Sequence, residues 1–495
     1  MRDRYQAVLL PLSALLLLAG CSAVGPDYAP PSSPLPISFG EPTAGLGTGA
    51  VEVEWWRTFD DPALTALIQR ALAANHDIGI AAMRLEEAKA MLREDRQSFL
   101  PSGGPALSYE NRRWGEVEIS PDQPRQRESY RGAIDAAWEL DLFGRVRRSV
   151  EAAQAQTGSR EALLREVQVS VIATVAATWF ELRGLEAEIA VVTDISQSQR
   201  ESLKLVEQQV NAGSASEFDR LRAEALLRNV EVAMPELERR RAASINALAI
   251  LLGTVPQSFR PPAIVPLDDS LAVRTMAVGD PVSLLSRRAD IAAAERDLAA
   301  ATAQIGVETA ALYPEIQVQG SLGFVAGSLD ALNGAEALSG FIVPVIRWSL
   351  LNIGRTRARI AASEARSKQA LIVYDQAVLH ALQETDDAFK AYGAAGSTLE
   401  LRLLESAANR EAARLLQVRF AEGDGLYLEV LDAERADFAS QRALAVARTN
   451  QQLAIVSIYK ALGGGWEVCT QTERNCNGAS GIANSPPTEL IANRP

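Results

Sequence analysis

The sequence predicts a mainly α-helical protein with a smaller β part, built twice over within one chain. Three observations predict it. Residues 145–211 and 355–421 each run for about 67 residues without a proline, and at about 1.5 Å per residue either would make a helix about 100 Å long. Two other stretches alternate apolar and polar residues with a period of two, as a strand with one apolar face does. The same landmarks then recur about 210 residues apart, which marks an internal duplication. A helix of that length cannot fold back into an ordinary globule, so other parts of the chain must run beside it.

Composition narrows the function classes. The chain has 495 residues and a net charge of -13, which argues against a sequence-independent grip on nucleic acid. Aromatic residues are few (6%), and alanine and leucine dominate, as in helix packing. No phosphate-binding Gly-Lys-Ser/Thr loop, His-Glu-x-x-His or Gly-x-Ser-x-Gly is present. His76 and His380 fall on helical stretches, where a solvated or core histidine is the plain reading. Neither an enzyme, a metal site nor a cofactor is expected.

Residues 1–20 read as a signal peptide: Arg2 and Arg4 precede the apolar run 7–20. At about 14 residues that run is too short to span a bilayer as a helix. It ends Leu18-Ala19-Gly20-Cys21, which resembles a bacterial lipobox and implies cleavage before Cys21 and acylation of that residue. Cleavage removes Arg2, Asp3 and Arg4, leaving a mature charge of -14. Ser22, where an aspartate would favour the inner membrane, implies outer-membrane sorting. Residues 21–60, rich in Pro, Gly and Ser, read as a lipidated, extended tether.

The first repeat covers residues 61–253. Asp61 with Pro62 reads as a helix start, and a helix is expected over 62–99, closed by Pro101. A weaker strand candidate lies at 106–114. Over 130–142, Tyr130, Ile134, Trp138 and Leu140 point one way and Arg131, Asp135 and Glu139 the other. The first long helix follows. Its apolar series Leu164, Val167, Val171, Val175, Trp179, Leu182, Leu185, Ile189, Val192, Ile195 has a mean step of about 3.4, close to a left-handed coiled coil. Gly213 breaks it, and a helix over 216–252 should kink at Pro235.

Residues 254–280 form a Pro-rich connection, and 281–463 the second repeat. Asp290-Ile291 matches Asp77-Ile78 at an offset of 213, and Trp348, Gly354, Gly423 and Gly463 match Trp138, Gly144, Gly213 and Gly253 at 210. Ile316, Val318, Leu322 and Phe324 alternate with Gln317, Gln319, Ser321 and Gly323. Residues 464–495 are a polar tail whose Cys469 and Cys476 can pair locally in an oxidising compartment. Four amphipathic strands cannot close a membrane barrel, since the smallest use eight, and an open sheet is not viable in lipid. Membrane-embedded strands must therefore be pooled between chains, and the strands alone leave two copies and three both open. The rival reading is a lipid-tethered coiled-coil spacer without a pore.

Several motifs carry a family resemblance: Trp56-x2-Phe59-x-Asp61-Pro62-x-Leu64, Trp138-x-Leu140-Asp141-x-Phe143-Gly144, Arg287-Arg288-Ala289-Asp290-Ile291-x3-Glu295 and Gly423-x7-Leu431-Asp432-Ala433. With the lipobox and in this order they resemble the outer membrane factor family, the TolC-type outer membrane efflux proteins, and its NodT-like lipoprotein branch. The resemblance spans residues 21–463. It implies a homotrimer whose protomers pool four strands each into a twelve-stranded outer-membrane β-barrel above a coiled-coil periplasmic α-barrel. It implies a passive exit duct of a tripartite efflux system, fed by an inner-membrane pump of the resistance-nodulation-division type through a periplasmic adaptor (membrane fusion) protein.

The same resemblance makes Gly213 and Gly423 the helix-tip turns of a periplasmic gate. Asp219 and Glu429 stand six residues beyond them, and Asp432 three further on, where acids can ring a constriction and select cations. Arg222 takes the matching place in the first half and is a candidate partner for an acid across the tip. Phe420 stands where some members have a tyrosine that bonds the facing acid, so that latch cannot form here. The exported substrate is not readable. Met83, Met91, Met234 and Met276 are scattered, which weighs against copper or silver handling.

Overall fold

A computed structural model describes residues 23–31, 46–47, 52–115, 117–118, 120, 122–263, 276–279, 287–422, 424 and 426–464. The signal segment, Cys21, Gly423, Cys469 and Cys476 lie outside them. In chain order come α1 (Pro62–Ala74), α2 (His76–Gln97), β1 (Ser102–Arg113), β2 (Gln126–Leu140), α3 (Arg145–Asn211), α4 (Glu217–Glu231), α5 (Met234–Leu251), α6 (Ala289–Ala310), β3 (Glu315–Ala326), β4 (Leu338–Arg347), α7 (Ile353–Ala421) and α8 (Tyr427–Ala461). A 3-10 turn at Trp55–Phe59 precedes α1, and a short parallel bridge joins Leu46–Gly47 to Met276–Ala277. The chain divides into two compact units, with boundaries that fall inside α2, α3 and α7.

The long helices form as the missing prolines predict, α3 with 67 residues and α7 with 69. Three expectations need correction. The single helix over 62–99 is two helices broken at Asn75. The Asn75 amide donates to the Leu251 carbonyl at 2.9 Å, and its Oδ1 accepts from the Asp77 and Ile78 amides, capping α2. The helix over 216–252 is also two, parted at Val232 and Ala233, because Pro235 has no N–H to give and sits in the first turn of α5. β2 ends at Leu140 rather than 142, because the Asp141 carboxylate turns to accept the Val146 and Arg147 amides at 2.9 and 3.0 Å at the start of α3.

One unit (Met1–Pro34, Ala82–Leu163, Asp290–Val378) holds an antiparallel sheet of order β1-β2-β3-β4. Its register sets Ile134 opposite Pro105 and Leu322, and Trp138 opposite Val318. Directly opposed residues share a face, so the apolar sets of the strands line up.

The other unit (Leu35–Ala81, Leu164–Ala289, Leu379–Pro495) is organised on aromatic residues and one carboxylate. Trp55 stacks on Tyr459 with ring centroids 5.0 Å apart, and Phe59 meets Phe180 at 4.6 Å. Asp60 takes a left-handed conformation (φ 49°) that ends the 3-10 turn and delivers Asp61 to the start of α1. Oδ1 of Asp61 accepts from the Ala63 and Leu64 amides. Its Oδ2 accepts from the Trp179 indole at 2.7 Å and the Arg183 guanidinium at 2.8 Å. Both charged side chains are buried, and burial lowers the Arg183 pKa against the opposing pull of Asp61. One stretch of α3 is apolar enough, by length and composition, to cross a bilayer. Its Ile172, Val175, Ala176, Trp179 and Phe180 are instead buried in the core of this unit.

Removing one partner from a buried ion pair leaves an uncompensated charge and costs about 3–5 kcal/mol. Asp61→Ala should therefore lower the thermal midpoint of the folded protein strongly, followed by circular dichroism. Asp61→Asn, whose single side-chain oxygen can still serve the helix cap but not Trp179 and Arg183 as well, should lower it less. A midpoint unmoved by Asp61→Ala would remove this carboxylate from its central place.

Candidate functional site

The functional geometry has three parts: the sheet, the N-terminal strap beside it, and the turns that end the long helices.

On one face of the sheet stand Leu107, Tyr109, Tyr130, Ile134, Trp138, Leu322, Phe324, Ile342 and Ile346, all at outward-alternating positions of the register. Ile134 and Leu322, side by side, are each 64% exposed. Tyr109 and Tyr130 pack together near one end (centroids 4.8 Å). Near the other, the Trp138 indole donates to the Phe99 carbonyl at 2.9 Å, and Trp348 does the same to Leu312 at 3.0 Å. Aromatic girdles of this kind mark the edges of a membrane band. Tyr130 and Trp138 enclose a stretch of β2 at the short end of the about 9–11 residues that a tilted membrane strand needs. The opposite face carries the polar groups, with Val325, Phe341 and Val343 among them: Arg131 is held to Asp135 and to Ser321 Oγ (2.8 Å), and Gln319 donates to Gln317 at 2.9 Å. The outer edges of β1 and β4 have no strand partner among the described residues.

Residues 23–31 run as a strap against the same unit. The Val24 amide donates to the Phe143 carbonyl at 3.1 Å. The buried Arg148 donates to Val24 O (3.2 Å) and Asp27 (2.6 Å), and Tyr28 donates to Glu295. Gly144 has φ +82°, and a Cβ there would lie 2.5 Å from that of Ala23. Glycine at 144 is thus required both by the backbone and by the strap that crosses it. The strap meets the chain just past the Trp138 end of β2.

At the tip, Gly213 closes α3 in a left-handed conformation (φ +73°), and Ser214 N–H bonds back to Gln209 O at 2.9 Å. The second tip repeats that bond, Asp424 N–H to Arg419 O at 2.9 Å, while Gly423 itself is outside the described residues. Asp219 forms a capping box with Ser216: each side chain accepts from the other's backbone amide, and the Ser216 hydroxyl donates to Asp219. These bonds, the side-chain one first, hold its carboxyl below the ordinary aspartate range. Arg222 lies over the Phe218 ring, 4.8 Å from its centroid. Glu429 is exposed in the first turn of α8, and Asp432 is exposed with Arg435 3.9 Å away.

Phe420 packs on Tyr427 with ring centroids 5.4 Å apart. The Tyr427 hydroxyl is buried without a hydrogen-bond partner among the described residues. Burial first, then the charges of Glu434 and Asp219, push it up to about 12. Glu434 is itself buried and accepts from the Gln199 and Gln417 amides, each at 2.8 Å. A polar seam thus joins α3, α7 and α8 behind the turns. Sequence reasoning missed it. The available signal was Gln199, which continues the apolar series four residues after Ile195, where an apolar side chain was due.

A membrane-length antiparallel sheet with one apolar and one polar face, on one chain with two helices of this length, defines an outer-membrane channel. The model of the family described as Outer membrane efflux protein matches residues 67–254 and 281–464. The solvent efflux pump outer membrane protein SrpC of Pseudomonas putida is 33% identical over 472 residues, 93% of this chain and 98% of that protein. The toluene efflux pump outer membrane protein TtgI, also of Pseudomonas putida, matches to the same extent. The solved structure of the outer-membrane channel OprN superposes with a TM-score of 0.84 at 34% identity, over 90% of this chain and 99% of that one. The chain belongs to the outer membrane efflux protein family and is the outer-membrane channel of an efflux system.

The two sheet faces should respond differently to charge. Ile134→Arg should cost about 2–4 kcal/mol, as an arginine at mid-membrane on a lipid face does, and Gln317→Arg far less. Folding into lipid vesicles from denaturant, read by gel mobility, measures both. Equal costs would overturn the face assignment.

Proposed function

We propose that three copies of this chain pool their sheets into a closed twelve-stranded barrel in the outer membrane, with the long helices forming a periplasmic α-barrel. The observation that carries this reading is the pair of unpartnered edges on a sheet with a membrane-length apolar face. In lipid those edge N–H and C=O groups have no water to bond, so closure with further copies is the way to satisfy them. The protein is then a passive duct that receives substrate from an inner-membrane pump of the resistance-nodulation-division type through a periplasmic adaptor docked at the tips.

Acylation of Cys21 anchors the mature chain in this reading. Cys21 stands two residues before Ala23, within about 7 Å of extended chain. Because Ala23 is pressed on Gly144 just past β2, acyl chains would enter the bilayer beside the sheet's aromatic Trp138 end. The lipid and the barrel then share the anchoring.

The tip is the gate. Asp219, Glu429 and Asp432 follow the turns at Gly213 and Gly423, and threefold repetition gathers their charge in one constriction. Arg222 lies on Phe218 and Phe420 on Tyr427 beside the same turns, and the seam through Glu434 holds the helix ends in register.

In planar bilayers the purified protein should conduct as single channels and run as a heat-labile oligomer on gels. A pure spacer would conduct nothing, which would end this reading. For the gate, Asp219→Ala with Asp432→Ala should raise resting conductance and reduce cation preference, read from the reversal potential in a KCl gradient. Ser216→Ala separates charge from capping, since it costs the helix about 1 kcal/mol yet keeps the acid. If Ser216→Ala alone reproduces the double variant, Asp219 acts as a cap. If the double variant leaves both readings unchanged, the gate lies elsewhere.

A further inference from the structure

The unit that contains Asp61 carries a half-open cavity of about 750 Å³ between α3, α5, α7, α8 and residues 261–263. That is the size of a small-molecule site. Much of its wall is apolar, with Phe180, Val191, Leu399 and Leu444 among the lining residues. The charges are one-sided. Arg183, Arg241, Arg410 and Arg448 line it against a single carboxylate, Glu186, in a chain where acids outnumber Lys and Arg by 62 to 49. Arg241 is paired with Glu186, and Arg183 turns to Asp61. Arg410 makes no hydrogen bond or ion pair among the described residues; it lines the cavity from α7 and Arg448, which has a contact of its own, from α8, both at its solvent-exposed rim.

A second observation points to a ligand. Gln452 lines the cavity, and its Oε1 is buried with no donor among the described residues. A buried acceptor left unmet is destabilising, and a hydroxyl brought in by a bound molecule would meet it. A Cβ on Gly184 would lie 2.1 Å from Thr449 Oγ1, so α3 and α8 touch there and the space cannot collapse further.

We propose that this cavity binds a hydroxylated amphiphilic anion: an apolar body on the Phe180–Leu444 wall, a carboxylate or sulfonate between Arg410 and Arg448, and a hydroxyl donating to Gln452. Guanidinium–carboxylate bonds are among the strong hydrogen bonds and favour this ligand over neutral or cationic amphiphiles of equal size. The site lies within one unit of the chain, and the proposal does not depend on the gate.

Equilibrium dialysis of the full-length protein in a non-ionic detergent tests it, with radiolabelled cholate as the probe. Cholate joins a rigid apolar body, one carboxylate and hydroxyl groups. Wild type should bind it saturably, one per chain, with an affinity that falls as salt rises. Arg410→Ala with Arg448→Ala should weaken binding at least about tenfold, and the double lysine variant should recover part of it. Gln452→Leu keeps every charge and should weaken binding about fivefold through the lost acceptor. Each variant must first give the heat-labile oligomer and wild-type conductance, so that lost binding is not lost folding. Non-saturable uptake by wild type, or wild-type affinity in both the double alanine variant and Gln452→Leu, overturns the proposal.

Discussion

Backbone amides in hydrocarbon have no water to fall back on, and this constraint shapes the whole chain. A four-stranded sheet satisfies its inner ladders and leaves the outer edges of β1 and β4 open. The apolar residues of β2 are concentrated on the face that lipid would meet, while on the other face Arg131 bonds Asp135 and Ser321, and Gln319 bonds Gln317, beside Val325, Phe341 and Val343 of β3 and β4. The internal pairing of this polar face matters energetically. Arg131 and Asp135 neutralise each other, so the polar face does not present an isolated charge. The aromatic residues at both ends then set how far the sheet can slide along the membrane normal.

Two carboxylates do the joining work elsewhere, and both act at helix starts. Asp141 stops β2 and opens α3 in one step, which lets a strand pass into a 67-residue helix with almost no connecting loop. Asp61 caps α1 with one oxygen and bonds Trp179 and Arg183 of α3 with the other. Its neighbours Trp55, Trp56 and Phe59 are almost fully buried. The aromatic burial supplies the apolar free energy, and the carboxylate fixes which part of α3 the segment meets.

Much of this was legible in the sequence because it depends on local rules. The bounds of α3 follow from the absence of proline and the glycine at 213, and the sheet faces follow from the period of two in residues 130–140. The misses have two causes, a partner far away in sequence or a local side-chain bond whose geometry the pattern does not show. Asn75 breaks a helix that local propensity favours because Leu251, 176 positions on, accepts its amide. β1 was the weaker candidate because Gly103, Gly104, Asn111 and Arg112 dilute its alternation, and it becomes a 12-residue strand only in register with β2. At the tip, Asp219 was readable as a charge near a turn, whereas its capping bonds depend on where α4 begins. Tyr427 was invisible as a companion to Phe420 until the turn between them was drawn.

The polar seam at the tip invites an energetic comparison. Glu434 is buried and is held by two amide donors from other helices, Gln199 and Gln417. An arginine in place of either would bind the carboxylate more tightly, since charge-to-charge hydrogen bonds are the stronger kind. A leucine pair in place of the whole seam would pack without any desolvation cost. Neutral amides against a carboxylate give an intermediate strength and one defined register, as a buried polar position does in a coiled coil. The unmatched Oε1 of Gln199 and Oδ1 of Asp437 nearby lower the net gain further. Behind the turns the three helices are therefore joined specifically and only moderately. The gate proposed at the tip would have to hold the helix ends closed and also release them, which calls for that combination, and a dry apolar seam would supply the strength without the registry.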